Sequence, residues 1–308
     1  MPELVANDGR VEKRGASGPC GLPNFSKFSN KRKVMALRVN TNNYSINAQK
    51  NLAVHGEKLG GSFAKLSSGL RIVTAADDAA GLGISERMRG QVRSLNMASR
   101  NAQDGVSLVQ TAEGALGEVS GNLVRMRELA VEAANGTLNT ADRASLNSEF
   151  GALADEVERV GNDTEFNGIK VLDGSTASIA IQVGVDSGQT IAIATTDMQA
   201  VALGVDKATL NITSAATAST ALAAIDTAVD SVVTQRGDFG ATQNRLQSAM
   251  RSIATNSENL SGAESRIRDV DVASETAELT KNRILQQAAT SVLAQANSQP
   301  QSALSLLG

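Results

Sequence analysis

The chain has 308 residues, 41% apolar but only 2% aromatic, with no Trp, one Tyr, six Phe, four Pro, one Cys, one His and a formal net charge of −3. One cysteine (Cys20) permits no intrachain disulfide, and with one histidine (His55) it cannot build a Cys/His zinc site, so any His-based triad would have to use His55. No run of 18 apolar residues is present to span a membrane, and the start lacks the contiguous apolar segment of a secretory signal peptide.

Residues 1–35 form a basic leader of a different character. Its first 34 residues hold seven Lys/Arg against three acids and three of the four prolines; the remainder holds 22 basic and 29 acidic residues. The leader shows neither helical nor strand periodicity and is expected to be disordered. Lys31-Arg32-Lys33 is open to reading as a nucleic-acid or targeting patch. The favoured expectation is that the leader is absent from the mature protein, since Met35-Ala36 reads as a natural start.

A first helix runs from a cap at Asn40 or Thr41, with Leu52, Leu59 and Leu66 every seven residues and Phe63 on the same stripe. Ser67-Ser68-Gly69 ends it. A second helix starts near Asp77-Asp78, whose carboxylates suit the positive end of the helix dipole. It carries Leu95, Ala98, Ala102, Val106, Val109, Ala112, Leu116, Val119, Leu123, Met126 and Ala130 on one stripe and ends at Asn135-Gly136. Thr140 caps a third, with Leu146, Phe150, Leu153, Val157 and Val160 at 4-3 spacing.

The β signal follows. Ile179, Ile181, Val183 and Val185 alternate, Asp186-Ser187-Gly188 turns, and Ile191 and Ile193 alternate again, which places a hairpin within about 166–200. Ala, Thr and Ser then dominate to about Ser219, with weak structure. Leu222, Ile225, Val229, Val232, Phe239, Leu246, Met250, Ile253, Leu260 and Ile267 fall on one 3-4 lattice whose remaining points are Arg236, Gln243, Ser257 and Glu264. That is a coiled-coil pattern. A last Ala-rich helix, about 272 to 298, stops before Pro300 and is apolar over a wide arc that includes Leu279, Leu285, Val292 and Leu293.

The expected fold is mainly α: a long antiparallel helical bundle or coiled-coil rod with a small β-hairpin region, and terminal helices pairing as a coiled coil. Exposed apolar stripes at both ends call for self-association, and head-to-tail contacts that do not close generate filaments. Nothing supports catalysis, a cofactor or a metal. His55 falls off the leucine stripe and is read as a packing or surface residue. Asp77 and Asp78 point about 100° apart on a helix, which suits capping better than acid/base work. Gly81-Leu82-Gly83 lacks the preceding strand of a phosphate loop. The acidic body without aromatic platforms disfavours a nucleic-acid partner.

Several stretches carry a resemblance: Leu66–Ile72 (LSSGLRI), Ala76–Leu82 (ADDAAGL), Arg100–Leu116 (RNAQDGVSLVQTAEGAL), Met126–Thr137 (MRELAVEAANGT), Glu165–Gly174 (EFNGIKVLDG), Ser265–Asp271 (SRIRDVD) and Ile284–Asn297 (ILQQAATSVLAQAN). In order and content the chain from Met35 resembles bacterial flagellin, in a short form without large outer variable domains. Val73-Thr74 replaces the Asn-Ser often found after LSSGLRI, and Phe63-Ala64-Lys65 stands where an Arg-bearing stretch is common.

The resemblance implies a structural subunit of the extracellular flagellar filament, exported unfolded by the flagellar type III pathway, whose ends order on assembly. Residues 36–76 and 269–308 would form the inner filament core, packed by Leu52, Leu59, Phe63, Leu66, Leu279, Leu285, Val292 and Leu293. Residues 77–268 would form the helical rod domain, with the hairpin. Partners implied are other copies of the chain, the export apparatus and chaperone, and cap and hook-associated proteins. Leu123, Arg125, Glu128, Leu129 and Glu149 match a stretch that contacts Toll-like receptor 5, with Arg125 as a fork of donors and Leu129 as an apolar anchor. Arg125 and Glu128 equally suit a surface i,i+3 pair. Two other readings are a hook–filament junction protein with similar ends and a signalling coiled coil, for which no membrane tether is present.

Overall fold

The computed structural model describes residues 41–305, with side chains to residue 301. The basic leader 1–35 with Cys20, the expected start at Ala36 and the candidate cap Asn40 lie outside them. Five helices carry the described chain: α1 (Asn43–Ser68), α2 (Ala79–Ala134), α3 (Thr140–Asp163), α4 (Ala215–Arg268) and α5 (Val272–Ser305). Two separate antiparallel hairpins lie between α3 and α4: β1 (Glu165–Phe166) with β2 (Ile169–Lys170), and β3 (Ser178–Gln182) with β4 (Thr190–Ala194). Packing divides the chain into two units. One comprises the described residues up to Val54 with those from Gln286 onward; the other is His55–Leu285.

In the larger unit α2 and α4 run antiparallel along most of their length. Near one end Arg127 pairs with Asp226 at 2.7 Å; further along, Glu113 meets Arg236. Then Ala102 and Val106 pack on Leu246, and Leu95 and Ala98 on Ile253. Every residue of the α2 stripe expected from the sequence is buried. On α3, Phe150 and Val157 join that core, with Ala154 between them.

The α4 seam differs from the expected lattice. Ile225, Val232, Phe239, Leu246 and Ile253 are buried as expected, and Leu222, Val229, Met250 and Leu260 pack half-buried against the core, but the fully buried alternate positions are Ala228, Gln235 and Thr242, one residue before Val229, Arg236 and Gln243. The physical reason lies in the hairpin. Gln235 donates from Nε2 to the carbonyl of Ala194 at 2.9 Å and accepts at Oε1 from the Thr196 hydroxyl at 2.9 Å. A polar residue is needed there to satisfy the end of β4.

In the main hairpin Ile179 stands opposite Ile193 and Ile181 opposite Ile191, with Gly188 at φ +86° in the turn. At Gly105 of α2 the sheet comes close: a Cβ there would lie 3.1 Å from Ile181 Cγ1. The smaller hairpin was not read from the sequence. Its signal is Asn167-Gly168, both at positive φ, the two-residue turn that matches strand twist. The segment before α4, expected to be weakly structured to about Ser219, is instead pinned. Met198 N–H donates to Leu172 O, Ile212 N–H donates to Asn147 Oδ1, and α4 begins at Ala215 behind a capping box of Ser214 and Thr217.

Helix ends also shift. Asn42, rather than Asn40 or Thr41, caps α1 by accepting from Ser45 N–H. Asn139 rather than Thr140 caps α3, accepting from the amides of Ala141 and Asp142. The α2 terminus needs no left-handed residue, since Asn135 is extended at φ −66°, ψ 127°.

In the smaller unit α1 and α5 meet through Asn42 and Ser45 on one side and Ala296 and Asn297 on the other. Here the expectation that α5 stops before Pro300 is corrected: the helix continues to Ser305 with Pro300 inside it. Proline has no N–H for the carbonyl four residues back, which is that of Ala296. The Asn42 side chain donates to that carbonyl at 2.7 Å and so replaces the missing bond.

Candidate assembly surface

Two of the motifs quoted from opposite ends of the sequence meet in space. Gly69, at φ +71°, turns the chain out of α1. Leu70 then bridges Asp269, Arg71 N–H donates to Arg268 O, and Val270 N–H donates to Gly69 O at 3.1 Å. Arg268 in turn donates to Glu86 on α2 at 2.6 Å, which holds the Glu86 carboxyl below its ordinary value. The LSSGLRI and SRIRDVD stretches thus form one joint in the larger unit.

Asp77 and Asp78 close this joint in different ways. Asp78 caps α2 by accepting from Gly81 N–H at 2.8 Å. Asp77 accepts from the amides of Val73 and Thr74 and from the Thr74 hydroxyl, and these bonds, Thr74's amide first, lower its carboxyl from the ordinary 3.8. A Cβ on Gly81 would lie 2.8 Å from Ile72 Cδ1 and would overlap the Asp78 carboxylate, so the glycine is required by close approach.

On the terminal helices the residues expected to pack a filament core divide into two sets. Leu52, Leu59 and Leu66 of α1 and Leu279 and Leu293 of α5 are half-buried. Phe63, Leu285 and Val292 are exposed, Phe63 at 56% and Val292 at 58%, as are Ile46 and Ile284. On α5 a line of buried and half-buried residues runs through Leu279, Asn282, Gln286, Ala289, Leu293 and Ala296, to one side of Leu285 and Val292. His55 is not off the stripe of α1. It lies on the same 3-4 line as Leu52 and Leu59, half-buried, with Nδ1 buried and without a hydrogen-bond partner.

The stretch matched to receptor contact is also divided. Leu123 and Leu129 are 0% and 1% exposed, inside the core, so neither presents a side chain to a partner docked on this face. Leu129 cannot be the apolar anchor. Arg125 is exposed and bonds Glu149 through Nε at 3.0 Å and Nη2 at 2.8 Å, and Glu128 through Nη1 at 2.9 Å. Those carboxylates, Glu149 first, raise its pKa. The i,i+3 pair thus forms, extended from α2 to α3 by two Arg125 donors converging on Glu149 Oε1.

Among the described residues no helix is long and apolar enough to cross a membrane, and no three His, Cys, Asp or Glu side chains converge as a metal site. What the geometry defines is a mainly helical protein with uncovered apolar residues on its terminal helices.

Comparison with known proteins gives the family. The bacterial flagellin N-terminal helical region matches residues 39–177, and the bacterial flagellin C-terminal helical region matches 222–307. A flagellin of Halalkalibacterium halodurans is 48% identical over 269 residues, covering 87% of this chain and 99% of its own. A flagellin of Bacillus subtilis is 46% identical, covering 88% and 100% respectively. A solved structure described as a flagellar hook-associated protein from Vibrio parahaemolyticus has a TM-score of 0.53 at 17% identity, covering 63% of this chain and 100% of that one, a likeness of fold alone. The chain belongs to the bacterial flagellin family.

Proposed function

We propose that the chain is the structural subunit that polymerises into the bacterial flagellar filament, outside the cell, with other copies of itself as its main partner. The observation that carries this reading is the pairing of a nearly full-length match to flagellins with apolar side chains left uncovered on α1 and α5. A subunit whose terminal helices are completed by neighbours explains both. Electron microscopy of the purified protein tests it: long tubes are expected, and a protein that stays monomeric under polymerising conditions refutes it. The hook–filament junction alternative is not favoured, because the relatives matched over almost their whole length are flagellins.

The finer reading is that residues 36–76 and 269–308 build the inner core and 77–268 the surrounding domain, with 1–35 absent from the assembled subunit. The family model beginning at residue 39 supports that last point. Core packing falls to Leu52, Leu59, Phe63, Leu66, Leu279, Leu285, Val292 and Leu293. Such ends suit unfolded export by the flagellar type III apparatus and its chaperone, since an isolated helix is marginal in water until a partner supplies burial. Cap and hook-associated proteins complete the set. The chain acts without catalysis.

Receptor contact on the α2–α3 face rests on Arg125, Glu128 and Glu149. A Toll-like receptor 5 reporter assay with Arg125→Asp should show reduced signalling; undiminished signalling excludes Arg125 as a contact.

A further inference from the structure

The two chain ends pair through seams that carry little register information. In the smaller unit α1 contributes Ser45, Ala48 and Leu52, and α5 contributes Ala289, Leu293, Ala296 and Pro300. Small residues at 3-4 spacing pack nearly as well after a slip of one turn or one heptad as before it, and a single polar group with one possible partner is what fixes alignment in such pairs.

Asn42 is such a group. Its Oδ1 accepts from Ser45 N–H at 3.1 Å, capping α1, and its Nδ2 donates to Ala296 O at 2.7 Å. The two bonds fix the orientation of the amide, because one partner is a donor and the other an acceptor. Ala296 is the residue whose carbonyl Pro300 leaves without its helical donor, and Ala296 is itself buried. Every other carbonyl in a regular interior helix is taken by the amide four residues on. Only one register therefore brings the cap of α1 to the one carbonyl of this α5 stretch that a proline has freed. The Ser45 hydroxyl, donating to Asn297 Oδ1 at 2.8 Å, adds a second bond in the same register.

We propose that Asn42 is a register-setting residue for the pairing of the two chain ends, supplying the hydrogen bond that Pro300 removes from Ala296. The proposal rests on the assembly reading above, in that correct pairing of the ends is what polymerisation requires. It makes Asn42 and Pro300 a coupled pair: the asparagine matters because the proline is there.

The test is a double-mutant cycle read as the critical concentration for polymerisation of the full chain. Asn42→Ser keeps a good capping oxygen but lacks the amide donor. Pro300→Ala restores the backbone N–H to Ala296. Asn42→Ser should raise the critical concentration roughly tenfold when residue 300 is proline, and less than about threefold when it is alanine. Pro300→Ala alone should assemble normally. Urea unfolding of the α2–α4 unit confirms that each variant is folded. An equal penalty in both backgrounds, no penalty in either, or loss of assembly in Pro300→Ala overturns the proposal while leaving the assembly reading intact. Failure of the unaltered chain to polymerise overturns the assembly reading, and the register role with it.

Discussion

Adjacent residues of like chemistry can hold different posts, and Asp77 and Asp78 are an instance. Both were legible as partners of the α2 N-terminus, because carboxylates favour that end of a helix. The division between them was not, because it depends on where Val73 and Thr74 come to lie. Asp77 holds that loop, and its carboxyl is lowered from 3.8 by the Thr74 and Val73 bonds. A depressed carboxyl contributes stability that is whole above its ordinary value and is lost as pH falls through the lower folded value. An NMR titration of the Asp77 carboxyl carbon should therefore give a midpoint below 3.8 in the folded chain, with Thr74→Val raising it. A midpoint at or above the ordinary value would show that the loop is held by something else.

Glycines make a second contrast at this scale. Gly81 and Gly121 both lie in α2, and composition cannot tell them apart. A Cβ at Gly81 meets Ile72 and the capping carboxylate, whereas at Gly121 it meets nothing within 4 Å. Gly81→Ala should lower stability by about 1–3 kcal/mol through overpacking and a displaced cap. Gly121→Ala should raise it by about 1 kcal/mol, the helix-propensity difference. Urea unfolding of the monomer, followed by circular dichroism, reads both; the same sign for the two variants contradicts the packing found here.

At the scale of the element, the long helices were readable because their apolar spacing is sustained over many turns. Every residue of the α2 stripe is buried as read, and Leu108, Leu129 and Ala133 join it from beside the stripe. The α4 seam was half right, and the error has a cause. Val229 is larger and more apolar than Ala228, so the 3-4 lattice is drawn through it, and Arg236 and Gln243 then fall on that lattice although neither is apolar. Burial at Gln235 is decided by a hydrogen-bond demand from the hairpin, which no local pattern in α4 carries. Gln235→Leu keeps the volume but leaves the Ala194 carbonyl and the Thr196 hydroxyl without their partner, at a cost of about 1–3 kcal/mol. Arg236→Ala, on the exposed side with a long ion-pair contact to Glu113, should change stability by no more than about 0.5 kcal/mol. The paired unfolding midpoints separate the two lattices. Were Arg236→Ala the more damaging, the seam would be the one drawn from the sequence. Element ends were the least readable, since Asn42 and Asn139 each cap one position away from the expected residue and Pro300 lies inside a helix rather than beyond it.

For the whole molecule, scarcity was informative. A core without Trp and almost without aromatics must be built by long stretches of Ala, Leu and Val, and α2 with α4 does that in the larger unit. On the terminal helices the same composition is not matched by burial within the chain: Leu285 and Val292 stay exposed. The sequence shows that these residues are apolar, but not whether a neighbour within the chain or in another copy covers them. Their exposure in the single chain argues for another copy, and this can be tested without disturbing the fold. Leu285→Ala removes apolar surface that contributes nothing to the α2–α4 core, so the urea midpoint of the monomer should be unchanged. If assembly buries the side chain fully, the loss is about 2–5 kcal/mol at each site, and the critical concentration should rise tenfold or more. Unchanged polymerisation with an unchanged midpoint would mean that Leu285 faces solvent in the filament as well. A lowered midpoint would mean that its packing lies within the chain.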